Sequence, residues 1–204
     1  MERTEIIHHS VFSNQHFFVC IHRSGRVACR AELELPLPAS AAWGELRDFR
    51  RSASHDFFHC DIRIEGGVPR RGAGLVLEHR FGPFRARRVG RILRWREWGD
   101  SEASGNGSCK AAGYSFSDLS AAGPRAGFPH VLSYHLQASP RGTCRLAITV
   151  GGLWTARLVP RWAARLWLAW VFHHVVASVR NQLLAAAVSA PMRKRATHDS
   201  GHCS

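Results

Sequence analysis

From Leu168 onward, apolar residues fall at positions 168, 171, 172, 175, 176, 179 and 183, the spacing of a helix with one buried face. His173, His174, Arg180 and Asn181 lie roughly opposite. Such a stripe needs a broad apolar partner, because burying each of its large side chains is worth about 1.5–3 kcal/mol. The preceding residues supply strands. Leu33, Leu35 and Leu37 recur every second residue with Glu32, Glu34 and Pro36 between them, the pattern of a strand with one wet face.

That strand runs almost directly into a helix. After Pro38 the period changes: Ser40 stands in a capping position, and Ala41, Ala42, Trp43, Leu46 and Phe49 recur at helical spacing, which predicts a helix over 39–51. FFHCDIRIEGG, starting at Phe57, reads as the next strand and ends in a Gly-Gly turn. GAGLVLEHRF then places Leu75, Leu77, His79 and Phe81 on one face against Val76, Glu78 and Arg80, and turns through Gly82 and Pro83 into a partner strand over 84–98. Residues 99–113, rich in Gly, Ser and Ala, read as a mobile loop. Strands over Tyr114–Leu119, Val131–Ala138 and Thr143–Val150 follow. At the front, His16–His22 is an optional extra strand turning back through RSGR onto Val27–Leu35.

A chain of 204 residues is most simply one domain with tails. We divide it into an N-terminal extension over 1–25, a ligand-binding domain over 26–190, and a polar tail over 191–204 that is expected to be disordered. The formal charge is +13, with Lys110 and Lys194 the only lysines. An arginine excess of this size suits an acidic membrane surface or nucleic acid, and equally suits arginines spread over a solvated surface. Six cysteines without a C-x-x-C pair argue for reduced thiols. The N-terminus MERTEIIHHS carries acids where a secretory signal carries basic residues, so a cytoplasmic location is expected. The apolar region Trp162–Ala190 is interrupted by Arg165, His173, His174 and Arg180, which excludes a spanning segment.

No G-x-S-x-G elbow, phosphate-cradling glycine loop or H-E-x-x-H motif is present. His55 with His59, and His173 with His174, lack a third ligand nearby in sequence, so neither a metal nor a cofactor is predicted.

The order of strand, helix, about six strands and a long final helix, with LELPLPASAAWGELRDF at its front, resembles the START-related superfamily known as SRPBCC. The resemblance runs from Val27 to Ala187 and is carried by Pro38 and Trp43, by Gly72 or Gly74 before a strand, and by Gly142 and Thr143 before the last strand. YSFSDLSAAGPRAGFPHVLSYHL resembles a subgroup with an aromatic-rich strand and a His-containing strand; that subgroup's acid after the Gly-Thr pair is replaced here by Ala147 and Thr149. The resemblance implies an α+β helix-grip fold, a curved antiparallel sheet wrapped around the long C-terminal helix with a cavity between them. Trp43 would then pack at the cavity end or in the adjoining core.

Strand parity names the inward residues: Leu75, Leu77, His79 and Phe81; Tyr114 and Phe116; Leu132, Tyr134 and Leu136, faced from the helix by Phe172, Val175, Val176 and Val179. Together with Trp43 these are the candidate ligand-binding residues, and the expected partner is a hydrophobic small molecule such as a lipid, isoprenoid or aromatic polyketide. Two alternatives stay open. One is a cyclase or dehydratase using His79 with Tyr114 or Tyr134, which needs their polar tips in one pocket. The other is a peripheral module for acidic lipids, or less favourably nucleic acid, built on the arginine-rich strand FRARRVGRILRWREW over 84–98. The residues lean against catalysis and do not define an oligomeric state.

Overall fold

The computed structural model describes residues 7–8, 15–51, 59–81, 83–98, 111–120, 128–139, 142–155 and 159–196. Its strands are β1 (Ile7–His8), β2 (Gln15–Ile21), β3 (Arg26–Leu35), β4 (His59–Ile64), β5 (Gly74–Phe81), β6 (Phe84–Arg96), β7 (Ala111–Ser120), β8 (His130–Ala138) and β9 (Cys144–Leu153). Helix α1 (Ala39–Leu46) follows β3, and helix α2 (Arg161–Ala196) closes the described chain. All strands join one antiparallel sheet in the order β1-β2-β3-β9-β8-β7-β6-β5-β4. Strands β4 to β9 therefore form a meander whose last member pairs with β3.

The alternation that predicted β3 is visible in its burial. Val27, Cys29, Ala31, Leu33 and Leu35 are all buried, while Arg26, Arg30 and Glu34 are exposed. The optional first strand is β2, in continuous register with β3 from Gln15↔Leu33 to Ile21↔Val27. Its Val19 is buried and its Phe17 ring stacks on Phe172 of α2 with centroids 5.3 Å apart, so the N-terminal extension contributes to the common core.

Along α2 the buried positions are Ala164, Leu168, Phe172, Val175, Val176, Val179, Gln182 and Leu183, which is the expected stripe extended one turn toward the N-terminus, except that Val171 is only half-buried and Gln182 joins the stripe. The helix continues to Ala196, past the boundary drawn at residue 190, and residues 197–204 lie outside the described residues. No helix among the described residues is long and apolar enough to cross a membrane.

Two local expectations are corrected. The N-cap of α1 is Pro38, without a side-chain capping bond, and Ser40 lies inside the helix. Pro38, with φ −62° and an extended ψ, is the last non-helical residue, and its carbonyl accepts from the backbone N–H groups of Ala41 and Ala42 at 3.0 and 3.1 Å. Residues 111–113 were expected in a loop but belong to β7, with Ala111 and Ala112 buried. Small size is what admits them: a Cβ on Gly113 would overlap the carbonyl oxygen of Tyr134 on β8. Residues 99–110 and His55 lie outside the described residues.

Candidate functional site

The inner face of the sheet has two regions of different character. At the α1 end it is filled by aromatic rings. Trp43 is buried within 5.4 Å of Trp95 and 6.1 Å of Tyr114, measured between ring centroids, and Tyr114 lies 4.8 Å from Phe49 and 4.9 Å from Tyr134. The indole N–H groups of Trp43 and Trp95 both donate to the Glu97 carboxylate, at 2.8 and 3.0 Å. This region is solid core. Tyr114 and Tyr134 also border a separate depression with Arg94, Arg96 and His135.

Under the first half of α2 the packing opens into a cavity of about 90 Å³. Its apolar wall is formed by Cys29, Phe128, Leu132, Val150, Trp167, Leu168, Val171, Phe172 and Val175, and its polar end by His59, His79, Arg88 and His130. Of the candidate residues, His79, Leu132, Phe172 and Val175 line this cavity. Leu75, Leu77, Phe116, Leu136 and Val176 are buried as expected but serve the surrounding core, as do Trp43, Tyr114 and Tyr134. The side chain of Phe81 lies outside the described residues. Tyr114 and Tyr134, the two tyrosines named with His79, are not among the residues lining this cavity.

The polar end is organised by Asp118 on β7, which is fully buried. One of its oxygens, Oδ2, is 2.9 Å from His79 Nε2, 3.5 Å from His130 Nε2 and 3.6 Å from His59 Nε2. The other, Oδ1, accepts a hydrogen bond from Arg88 Nε. Arg88 Nη2 further donates to the backbone carbonyls of Asp118, at 3.1 Å, and Phe128, at 2.9 Å. Five neighbouring strands, β4 to β8, each contribute one of these side chains.

Register explains how they meet. His59 and His79 are directly opposite across β4 and β5, and Asp118 and His130 are directly opposite across β7 and β8. Between them runs β6, where Ala86 faces His79 and Gly90 faces Asp118. Small residues on either side of Arg88 leave room for His79 to reach Asp118 across the intervening strand. A Cβ on Gly90 would overlap the Ser117 carbonyl and approach Leu77 at 3.2 Å.

Burial sets the protonation of the cluster. Desolvation lowers the pKa of His79 despite the nearby carboxylate, and lowers that of His130 to about 4. Burial pushes Asp118 upward, but its contacts with His59 and His79, with the charges nearby, outweigh that effect and hold it well below the usual carboxylate range. His130 Nδ1 lies 2.9 Å from the Phe128 carbonyl, which can only accept, so Nδ1 carries the proton and Nε2 of the neutral ring presents a lone pair.

No protein-family model and no curated sequence matches the chain. Solved structures do. Human StAR-related lipid transfer protein 5 superposes with a TM-score of 0.66 at 8% identity, over 89% of this chain and 86% of that one. A STAR-related lipid transfer protein from Xanthomonas axonopodis gives 0.59 at 12% identity, over 88% and 98%. The Zhui aromatase/cyclase from Streptomyces gives 0.57 at 13% identity, over 80% and 94%. This is the helix-grip fold. In the helix-grip arrangement α2 is the gripped helix, and the expected curved sheet around a long C-terminal helix is borne out.

Sequence parity found His79 but missed its companions. Asp118 lies two residues past Phe116 on the same face of β7, and His130 two residues before Leu132 on β8, so the same alternation extended by one step includes both. Arg88 shares a face with buried Ile92, a parity that arginines on both faces of β6 obscured. His59 was seen only as part of a pair with His55.

Proposed function

We propose that this protein binds a hydrophobic small molecule, of the lipid, isoprenoid or aromatic polyketide class, between the sheet and α2. The observation that carries this reading is an apolar-walled cavity with a single polar end formed by His59, His79, His130 and Arg88. Such a site holds an apolar body against α2 and turns a carbonyl, hydroxyl or carboxylate toward the imidazoles. The fold relatives include lipid-transfer proteins and an aromatase/cyclase, which supports this reading.

Size constrains the mode of binding. Ligand sites for molecules of this class occupy roughly 300–1,000 Å³, whereas this cavity is about 90 Å³. Entry of the ligand therefore has to displace the first half of α2 or its side chains. Trp167 both lines the cavity and is 38% exposed, which makes it the side chain at the rim.

The test uses a fluorescent fatty acid and a naphthalene-based dye with the full chain. Saturable binding with a negative heat-capacity change is expected, and Val175→Trp should weaken it at least about tenfold while exposed Leu153→Trp leaves it unchanged. Undiminished binding by folded Val175→Trp protein would move the site elsewhere.

A second reading, contact with an acidic membrane surface, is favoured by the outer face of α2. Trp162, Leu166 and Trp170 recur every fourth residue at 69%, 59% and 48% exposure, beside the cavity rim and on a chain of charge +13. Binding to phosphatidylserine-containing vesicles that falls with salt, and falls again in Trp162→Ala, supports it. Equal binding to neutral vesicles removes the electrostatic part.

A further inference from the structure

We propose that His59, His79, His130 and Asp118 form a divalent transition-metal site, of the kind zinc occupies, at the polar end of the cavity. The nitrogen ligand atoms of His59 and His79 and a carboxylate oxygen of Asp118 all lie within 4.8 Å of one another, and all three residues are buried. His130 Nε2 adds a fourth, 3.5 Å from Asp118 Oδ2. Zinc bonds of about 2.0–2.1 Å in tetrahedral geometry space the ligand atoms roughly 3.3 Å apart. The distances of 2.9, 3.5 and 3.6 Å from Oδ2 to the three imidazoles scatter about that value.

Three further features suit a metal better than a purely hydrogen-bonded cluster. One carboxylate oxygen faces three imidazole nitrogens, more than its lone pairs can serve as a hydrogen-bond acceptor. The His130 ring, held by the Phe128 carbonyl at Nδ1, turns Nε2 toward that oxygen at 3.5 Å, so a cation bound by both atoms would meet a ring nitrogen already facing it. The outer contacts are those of a supported ligand set: the Phe128 carbonyl orients His130, and Arg88 occupies Oδ1 so that Oδ2 is left facing the imidazoles. Imidazole nitrogen with a single carboxylate suits zinc and its transition-metal neighbours, whereas calcium and magnesium favour all-oxygen sets.

The sequence conceals this site because its ligands come from β4, β5, β7 and β8, without the short spacing of a metal motif. The proposal does not depend on an apolar ligand entering the cavity. It stands on strand residues alone.

The experiment titrates Co²⁺, then Zn²⁺, into the full chain after dialysis against a chelator. We expect one Co²⁺ per chain with the visible absorption of a tetrahedral site, bleached by Zn²⁺, and a melting temperature raised by Zn²⁺. His59→Gln and His79→Gln, each shown to be folded by circular dichroism, should weaken Co²⁺ binding at least about tenfold. His173→Ala combined with His174→Ala should leave it unchanged. Absence of the visible band at excess Co²⁺ in folded wild-type protein overturns the proposal. So does a band that survives both single variants, or one lost only when His173 and His174 are replaced.

Discussion

The Arg88–Asp118 pair offers a measurable test of how the polar end is held together. Asp118 has no exposed surface and the Arg88 side chain is 11% exposed, so each charge depends on the other for compensation. Asp118→Ala should remove about 3–5 kcal/mol, the range for breaking a buried pair and stranding one charge. In a chain of this size that corresponds to a fall of roughly 6–20 °C in melting temperature. Arg88→Met should cost less, because His79 remains 2.9 Å from the carboxylate. The double variant removes both charges and should lose well under the sum, with a coupling of about 2–3 kcal/mol. Urea denaturation in chelator, followed by tryptophan fluorescence, provides the four free energies of the cycle. Additivity within about 0.5 kcal/mol, or single effects below about 1 kcal/mol, would show that the two residues do not compensate each other.

Two other expectations follow from burial and close approach. The Cys29 thiol is pushed up to about 12, mainly by burial with a contribution from Cys20. The folded state therefore holds this proton after the unfolded chain has released it; the associated stability is complete below about pH 9 and falls by about 1.4 kcal/mol per pH unit between 9 and 12. Stability measured at several alkaline pH values should decline less steeply in Cys29→Ala than in wild type, and equal slopes would contradict the assignment. Gly113→Ala should destabilise by roughly 1–3 kcal/mol, because its Cβ meets the Tyr134 carbonyl, while Gly151→Ala, with nothing within 4 Å, should not. Thermal melts of the two variants decide this, and similar melting temperatures would refute the steric argument.

The fold was legible wherever one face of an element is buried continuously. The alternation of Leu33 and Leu35 in β3 and the stripe through Phe172 and Val176 in α2 are solvation patterns, and solvation is local to each element. Residues 111–113 were misread because Ala and Gly resemble loop composition, and their place in β7 depends on how closely β8 approaches. The candidate site was legible one residue at a time. Leu132, Phe172 and Val175 were found as apolar wall, and His79 as an inward polar group. Its pairing with Asp118 depends on Gly90 and Ala86 of β6, two small residues whose meaning appears only once the strands are in register. Tyr114 and Tyr134 shared the correct face with His79, but parity does not distinguish the aromatic-filled end of the sheet from the open one.

Because one polar side chain comes from each of β4, β5, β6, β7 and β8, the cluster is a check on strand pairing as a whole. A slip of one residue in any of these strands turns its contribution from the interior to the outer face. Asp118 or Arg88 would then be buried without its counter-charge, or an imidazole would be lost from the row. Misregistered sheets are penalised electrostatically as well as by lost apolar contact. No segment shorter than 59–130 contains all five residues, so although the β4–β5 and β7–β8 hairpins each bring one pair together, the full constellation exists only once the whole meander has closed.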